Sequence, residues 1–133
     1  MMLFLSRHVK FKKKSMLIGK SRMSVFIADT LLKMTVGLMF REKLRRNECM
    51  LFAFPRDGPH PIWTRHMRFP IDIVWCDAEG RVVDFMQSVA PAGRLKFSGY
   101  YPRERARYVL EFNSGFVKRN GIKIREKIIF KSA

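Results

Sequence analysis

The sequence predicts a small, mainly β, single domain, a sandwich or distorted barrel with one or two short helices. Three observations point there. Short apolar runs rich in β-branched and aromatic residues recur along the chain, glycine and proline punctuate them, and 133 residues suit one hydrophobic core. With 47% hydrophobic and 13% aromatic residues, the chain is too apolar to be wholly disordered. No apolar run is long enough to span a membrane.

The elements follow in order. Met16–Ile18 and Met23–Ile27 read as strands paired across Gly19-Lys20-Ser21. Asp29 and Thr30 offer capping oxygens to a short helix over 31–36, which Gly37 can end in the left-handed region. Met50–Phe54 is a strand stopped by a turn over Pro55–Pro59, and Ile62–His66 is expected as the next strand. Ile71–Trp75 follows, apolar on both alternating faces and so expected to be covered on both sides. Asp77–Gly80 then makes a hairpin turn into Arg81–Val89. Residues 90–104, with two prolines and two glycines, read as a long loop of the kind that covers a site. Tyr108–Phe112 returns to strand, Asn113 and Ser114 are positioned to cap a short helix over 116–119, and Lys127–Phe130 is expected as a last strand.

Charge is distributed unevenly. Twenty-seven Lys and Arg against 11 Asp and Glu give a formal +16, of which residues 1–23 carry +7 with no acid among them. Residues 1–15 therefore read as a basic, disorder-prone leader and 16–133 as the domain. The apolar Met1–Leu5 precedes the positive run, the reverse of a signal peptide, so a cytoplasmic protein is expected. Cys49 and Cys76 have no metal-ligand or redox spacing. They read as buried, reduced thiols, with a single disulfide as the alternative.

Six segments occur in the order of one family: Val25–Thr30, Gly37–Arg41, Met50–Pro55, Phe69–Ile73, Gly80–Val83 and Ala106–Glu111. Over residues 16–131 the chain thereby resembles the uncharacterised family called domain of unknown function 192. The resemblance implies a small mainly β domain and no established activity. The chain departs from the family pattern at Trp63–Met67, where Trp-Met-Lys-Asn-Thr is common, and at Cys49, where glycine is common.

The densest chemical cluster is Trp63, Arg65, His66, Arg68 and Asp72, which Arg41 can join in space. A flat aromatic, fixed positive charges, an imidazole and a carboxylate are the components of an anion-binding pocket. The competing reading makes Trp63 core and Asp72 a structural cap. His66 with Asp72 is also the pattern of an oriented general base, but no nucleophile, metal-ligand motif or phosphate loop accompanies it, so the sequence favours binding over catalysis. No cofactor or metal is expected. The sequence expectation is a domain that binds a small anionic ligand or partner group through Arg41, Trp63, Arg65, His66, Arg68 and Asp72. The alternatives are a nucleic-acid-binding accessory protein using the basic surface and a hydrolase-like enzyme using His66 and Asp72. The sequence leaves the oligomeric state open.

Overall fold

A computed structural model describes residues 9–39, 41–92 and 99–130. It is mainly β, as the sequence predicts, with six strands and two short helices: β1 (Lys12–Ile18), β2 (Ser21–Ala28), α1 (Leu31–Val36), β3 (Glu48–Gly58), β4 (Ile71–Cys76), β5 (Val82–Val89), β6 (Ala106–Asn113) and α2 (Phe116–Asn120). The strands form one sheet in the order β1-β2-β3-β6-β4-β5, whose end strands do not pair to close a barrel. Neighbours are antiparallel except β2 and β3, which run parallel on either side of the connection that carries α1. Parallel neighbours cannot be joined by a tight hairpin, which is why the chain makes a helical excursion there.

Strand alternation separates the core into two layers. Cys49, Leu51, Val74, Leu110 and Phe112 point to one face, and Met50, Phe52, Ile73, Trp75 and Val109 to the other. All of β4 is buried, in line with its two apolar faces. Both cysteines are free and buried, and burial pushes both thiols well above their ordinary pKa, with the Asp77 charge adding to the effect at Cys76. The first strand reaches back into the basic leader as far as Lys12. Lys12, Lys13 and Lys14 therefore lie exposed on the outer strand, where charge discourages pairing with another chain.

Several local expectations are corrected. Ile62–His66 is not a strand: Ile62 makes one bridge to Tyr100, and the chain then turns, with Met67 N–H donating to the Thr64 carbonyl at 3.2 Å and His66 at φ 60°. Pro59 and Pro61, which lack N–H groups, help to keep a ladder from forming there. The turn expected at Pro55–Pro59 is instead a break in register within β3, between Ala53 and Gly58. Lys127–Phe130 pairs only through the bridges Arg81 to Lys127 and Ile18 to Ile129. That tail joins two distant turns, with Gly19 N–H donating to the Ile128 carbonyl and Ile128 N–H to the Gly80 carbonyl. The approach at Gly80 is so close that a Cβ would lie 2.6 Å from the Ile129 carbonyl oxygen. Of the loop expected over 90–104, residues 93–98 lie outside the described residues.

Candidate binding site

Glu111 lies on the central strand β6 and pairs with Met50 on one side and Ile73 on the other, both fully buried. Directly opposed residues present their side chains on one face, so its carboxyl stands in an apolar row. Glu111 is 3% exposed, and burial alone pushes its pKa up to about 8. No hydrogen bond from the described residues reaches this carboxyl. Since no fully sealed side-chain oxygen among them lacks a partner, the Glu111 oxygens face the cleft that the residue lines.

The other buried polar residues are satisfied. Thr64 donates to the Ala90 carbonyl at 2.9 Å, and Asp84 accepts from the backbone N–H groups of Phe85 and Arg103, each at 2.9 Å. Asp72 lies on the opposite sheet face from Glu111, because its neighbour Ile73 is the residue that pairs with Glu111. Its carboxylate accepts from the N–H groups of Ser88 at 2.8 Å, Gly115 at 3.2 Å and Val117 at 2.9 Å. Asp72 thus does for α2 what Asn113 and Ser114 were expected to do. Asn113 donates instead to the carbonyls of Leu44 and Arg45, and Ser114 meets the hydroxyl of Ser88.

The cleft above Glu111 has a volume of about 260 Å³. One wall is α1 with the following Gly37-Leu38-Met39, and Phe52, Ile62 and Met67 complete an apolar lining. Thr30 holds the start of α1 by accepting from Lys33 N–H at 3.2 Å, and Gly37 ends the helix at φ 47°, as the sequence predicts. At the mouth stand Trp63, 43% exposed, and Leu31, 82% exposed. Two large apolar side chains are thus exposed at a cleft that a buried carboxyl lines. A larger groove of about 880 Å³ lies over Met16, Ile27, Leu51 and Tyr108, but no buried charged group lines it.

The structure distributes the residues singled out in the sequence. Trp63 lines the cleft, and the Arg65 guanidinium lies 5.7 Å from the centre of its ring, which puts positive charge at the mouth. His66 and Arg68 are exposed on the turn that follows. Arg41 is held elsewhere: its guanidinium lies 4.5 Å from the Phe26 ring and 5.6 Å from Phe11, and burial lowers its pKa, opposed by the Glu48 charge. Glu111, the polar group of the cleft, was not among the sequence candidates. The signal was a lone acid within the apolar run Tyr108-Val109-Leu110-Glu111-Phe112, sharing a face with Val109. Among the described residues no group of three or more His, Cys, Asp or Glu is arranged to hold a metal ion, and no helix is long and apolar enough to cross a membrane.

Comparison with known proteins agrees with this fold. Residues 14–130 match the family model of domain of unknown function 192, described as an uncharacterised ACR family. The UPF0127 protein of Thermococcus gammatolerans is 35% identical over 97 residues, and that of Thermococcus kodakarensis 34% over 96, each match covering 71% of this chain. The matches span 58% and 56% of those two proteins, less than two thirds of their length. A crystal structure from Sinorhizobium meliloti 1021, described as a candidate transcription regulator, superposes with a TM-score of 0.80 at 26% identity over 90% of this chain and 95% of that one. A protein of unknown function from Novosphingobium aromaticivorans shares the fold, with a TM-score of 0.80 at 21% identity over 94% and 96%. Sequence and fold together make this chain a member of the domain of unknown function 192 family.

Proposed function

We propose that this protein is a binding module whose cleft beside α1 takes a small anionic ligand, or an anionic group on a partner, by its apolar body. The observation that carries the reading is the buried Glu111 carboxyl, which lines an apolar cleft and accepts no hydrogen bond from the described residues. A carboxyl with a pKa near 8 is mostly neutral at pH 7, so it can donate its O–H to a ligand oxygen. Positive charge at the mouth from Arg65 and the overall +16 favour an anion over a cation. Trp63 offers a face for a ring or chain to stack on. Three of the six segments that carry the family resemblance, Gly37–Arg41, Met50–Pro55 and Ala106–Glu111, contribute to this cleft. Cytoplasmic residence belongs to the same reading, and buried free thiols are compatible with it.

The test is a thermal-shift and calorimetric screen of short alkyl and aryl carboxylates against the full chain. Binding to the native state raises its melting temperature by mass action. Affinity is expected to fall as pH rises through about 8, where Glu111 ionises and repels the anion, and to weaken about tenfold in Trp63→Ala and in Glu111→Gln. A ligand whose affinity rises across the same pH interval would be a cation and would refute the anionic reading. Unchanged affinity in both variants would remove the cleft from consideration. Hydrolysis through His66 and Asp72 gains no support, because the Asp72 oxygens accept from three backbone N–H groups.

A further inference from the structure

We infer that a second cleft, between the start of β2, the turn at Arg46-Asn47 and α2, is a phosphate-binding site built on Arg22, Arg46 and Arg119. The cleft has a volume of about 470 Å³, and those three arginines line it together with Ser21 and Asn47. They come from three separate segments that hydrogen bonds lock together. Ser24 N–H donates to the Asn47 carbonyl at 2.7 Å, and the Ser21 hydroxyl donates to the Asn120 side-chain oxygen at 2.6 Å. The floor is packed into the core, since Met23 and Phe116 are each 3% exposed and Phe116 stacks on Phe112 at 3.8 Å. Arg119 lies back over Gly115, where a Cβ would come within 2.7 Å of its guanidinium nitrogen, so the bare glycine leaves room for that pose.

The charge balance is one-sided. Ion pairs among the described residues use Lys13, Lys33, Arg103, Arg107 and Arg125, and none of the three cleft arginines. Among the described residues no carboxylate lines the cleft, and the one side-chain hydrogen bond from the three arginines is a 3.4 Å contact from Arg22 to the Ser15 hydroxyl. Guanidinium groups stay charged at every physiological pH, and three of them, all exposed, line one cleft. Their planar forks match phosphate oxygens two at a time, which makes arginine better suited than lysine to this geometry. The space exceeds one phosphate group, so the ligand class is a phosphate ester or a diphosphate, from either a small molecule or a nucleic-acid backbone.

Calorimetric titration of the full chain at about 0.15 M salt, with inorganic pyrophosphate and with a short single-stranded oligonucleotide, tests this. Saturable binding is expected, weakened about tenfold or more by the pair Arg46→Gln and Arg119→Gln. The charge-matched pair Lys12→Gln and Lys123→Gln, exposed and outside the cleft, is expected to leave it within about twofold. Arg22→Gln is the second variant should the arginine pair fail to fold. Pyrophosphate that displaces the oligonucleotide identifies a nucleic-acid backbone as the source, and pyrophosphate binding without the oligonucleotide identifies a small phosphorylated ligand; both sustain the site. Absence of saturable binding by either probe, or equal weakening by the lysine pair, would overturn it.

Discussion

Two buried acids show how one functional group, the carboxyl, takes on different roles. Asp72 is surrounded by N–H donors and serves the fold, whereas Glu111 lines an apolar cleft and accepts no hydrogen bond from the described residues. Asp72→Ala strands three donors and is expected to lower the unfolding free energy by about 2–4 kcal/mol in urea titration. A loss within about 0.5 kcal/mol would mean that Asp72 does not hold α2. Glu111 couples stability to pH with a definite sign. Its folded pKa of about 8 lies above the ordinary 4.5, so between those values the folded chain holds a proton that the unfolded chain has released. Its contribution is complete below about pH 4.5 and is lost as pH rises towards 8, by up to about 1.4 kcal/mol per pH unit. Glu111→Gln removes that loss, so the variant is expected to gain on the wild type as pH rises from 5 to 8; parallel stability profiles would refute the assignment.

At the scale of elements, short pieces depend on single contacts. Helix α1 has six residues, too few to be stable alone, and it forms a wall of the cleft over Glu111. Thr30→Ala removes its cap and is expected to cost about 1 kcal/mol by chemical denaturation, with weaker ligand binding as the wall loosens. The turns allow a matched comparison. Gly80 and Gly121 both have positive φ, but a Cβ at Gly80 would meet the Ile129 carbonyl oxygen at 2.6 Å, whereas one at Gly121 meets nothing within 4 Å. Gly121→Ala therefore carries backbone strain of roughly 1–2 kcal/mol, and Gly80→Ala carries that strain plus a clash that displaces the tail. Equal melting temperatures for the two variants would show that the tail does not hold the β4–β5 turn in place. The hairpins and both helices were readable locally from glycines, alternation and, for α1, the Thr30 cap, whereas the cap expected for α2 at Asn113 and Ser114 was replaced by Asp72 from across the sheet. The expected strands at Ile62–His66 and Lys127–Phe130 failed for a complementary reason: apolar composition was right, but no partner strand runs beside them and each makes isolated bridges instead.

For the whole molecule, a formal +16 on 133 residues means self-repulsion that the ion pairs offset only in part. Added salt screens that repulsion, so the melting temperature is expected to rise between about 0.02 and 0.3 M sodium chloride. A fall over that interval would show that the ion pairs dominate. Composition and alternation were enough to establish a mainly β domain with buried thiols and a β4 strand apolar on both faces, because those properties depend on nearest neighbours in the chain. The candidate site was only half readable. Trp63 and Arg65 stood out as an aromatic beside a charge, whereas Arg41 was assigned to an anion and instead lies against Phe26, which β2 carries past it. Glu111 looked like any acid in a strand until β3 and β4 closed on either side of β6 and brought Met50 and Ile73 against it. Asp72 became a cap for groups 43 and 45 positions away. Strand periodicity tells which side chains share a face, but the order of strands across a sheet is set by long-range packing, and that order decides which buried carboxyl finds donors and which one is left facing a cleft.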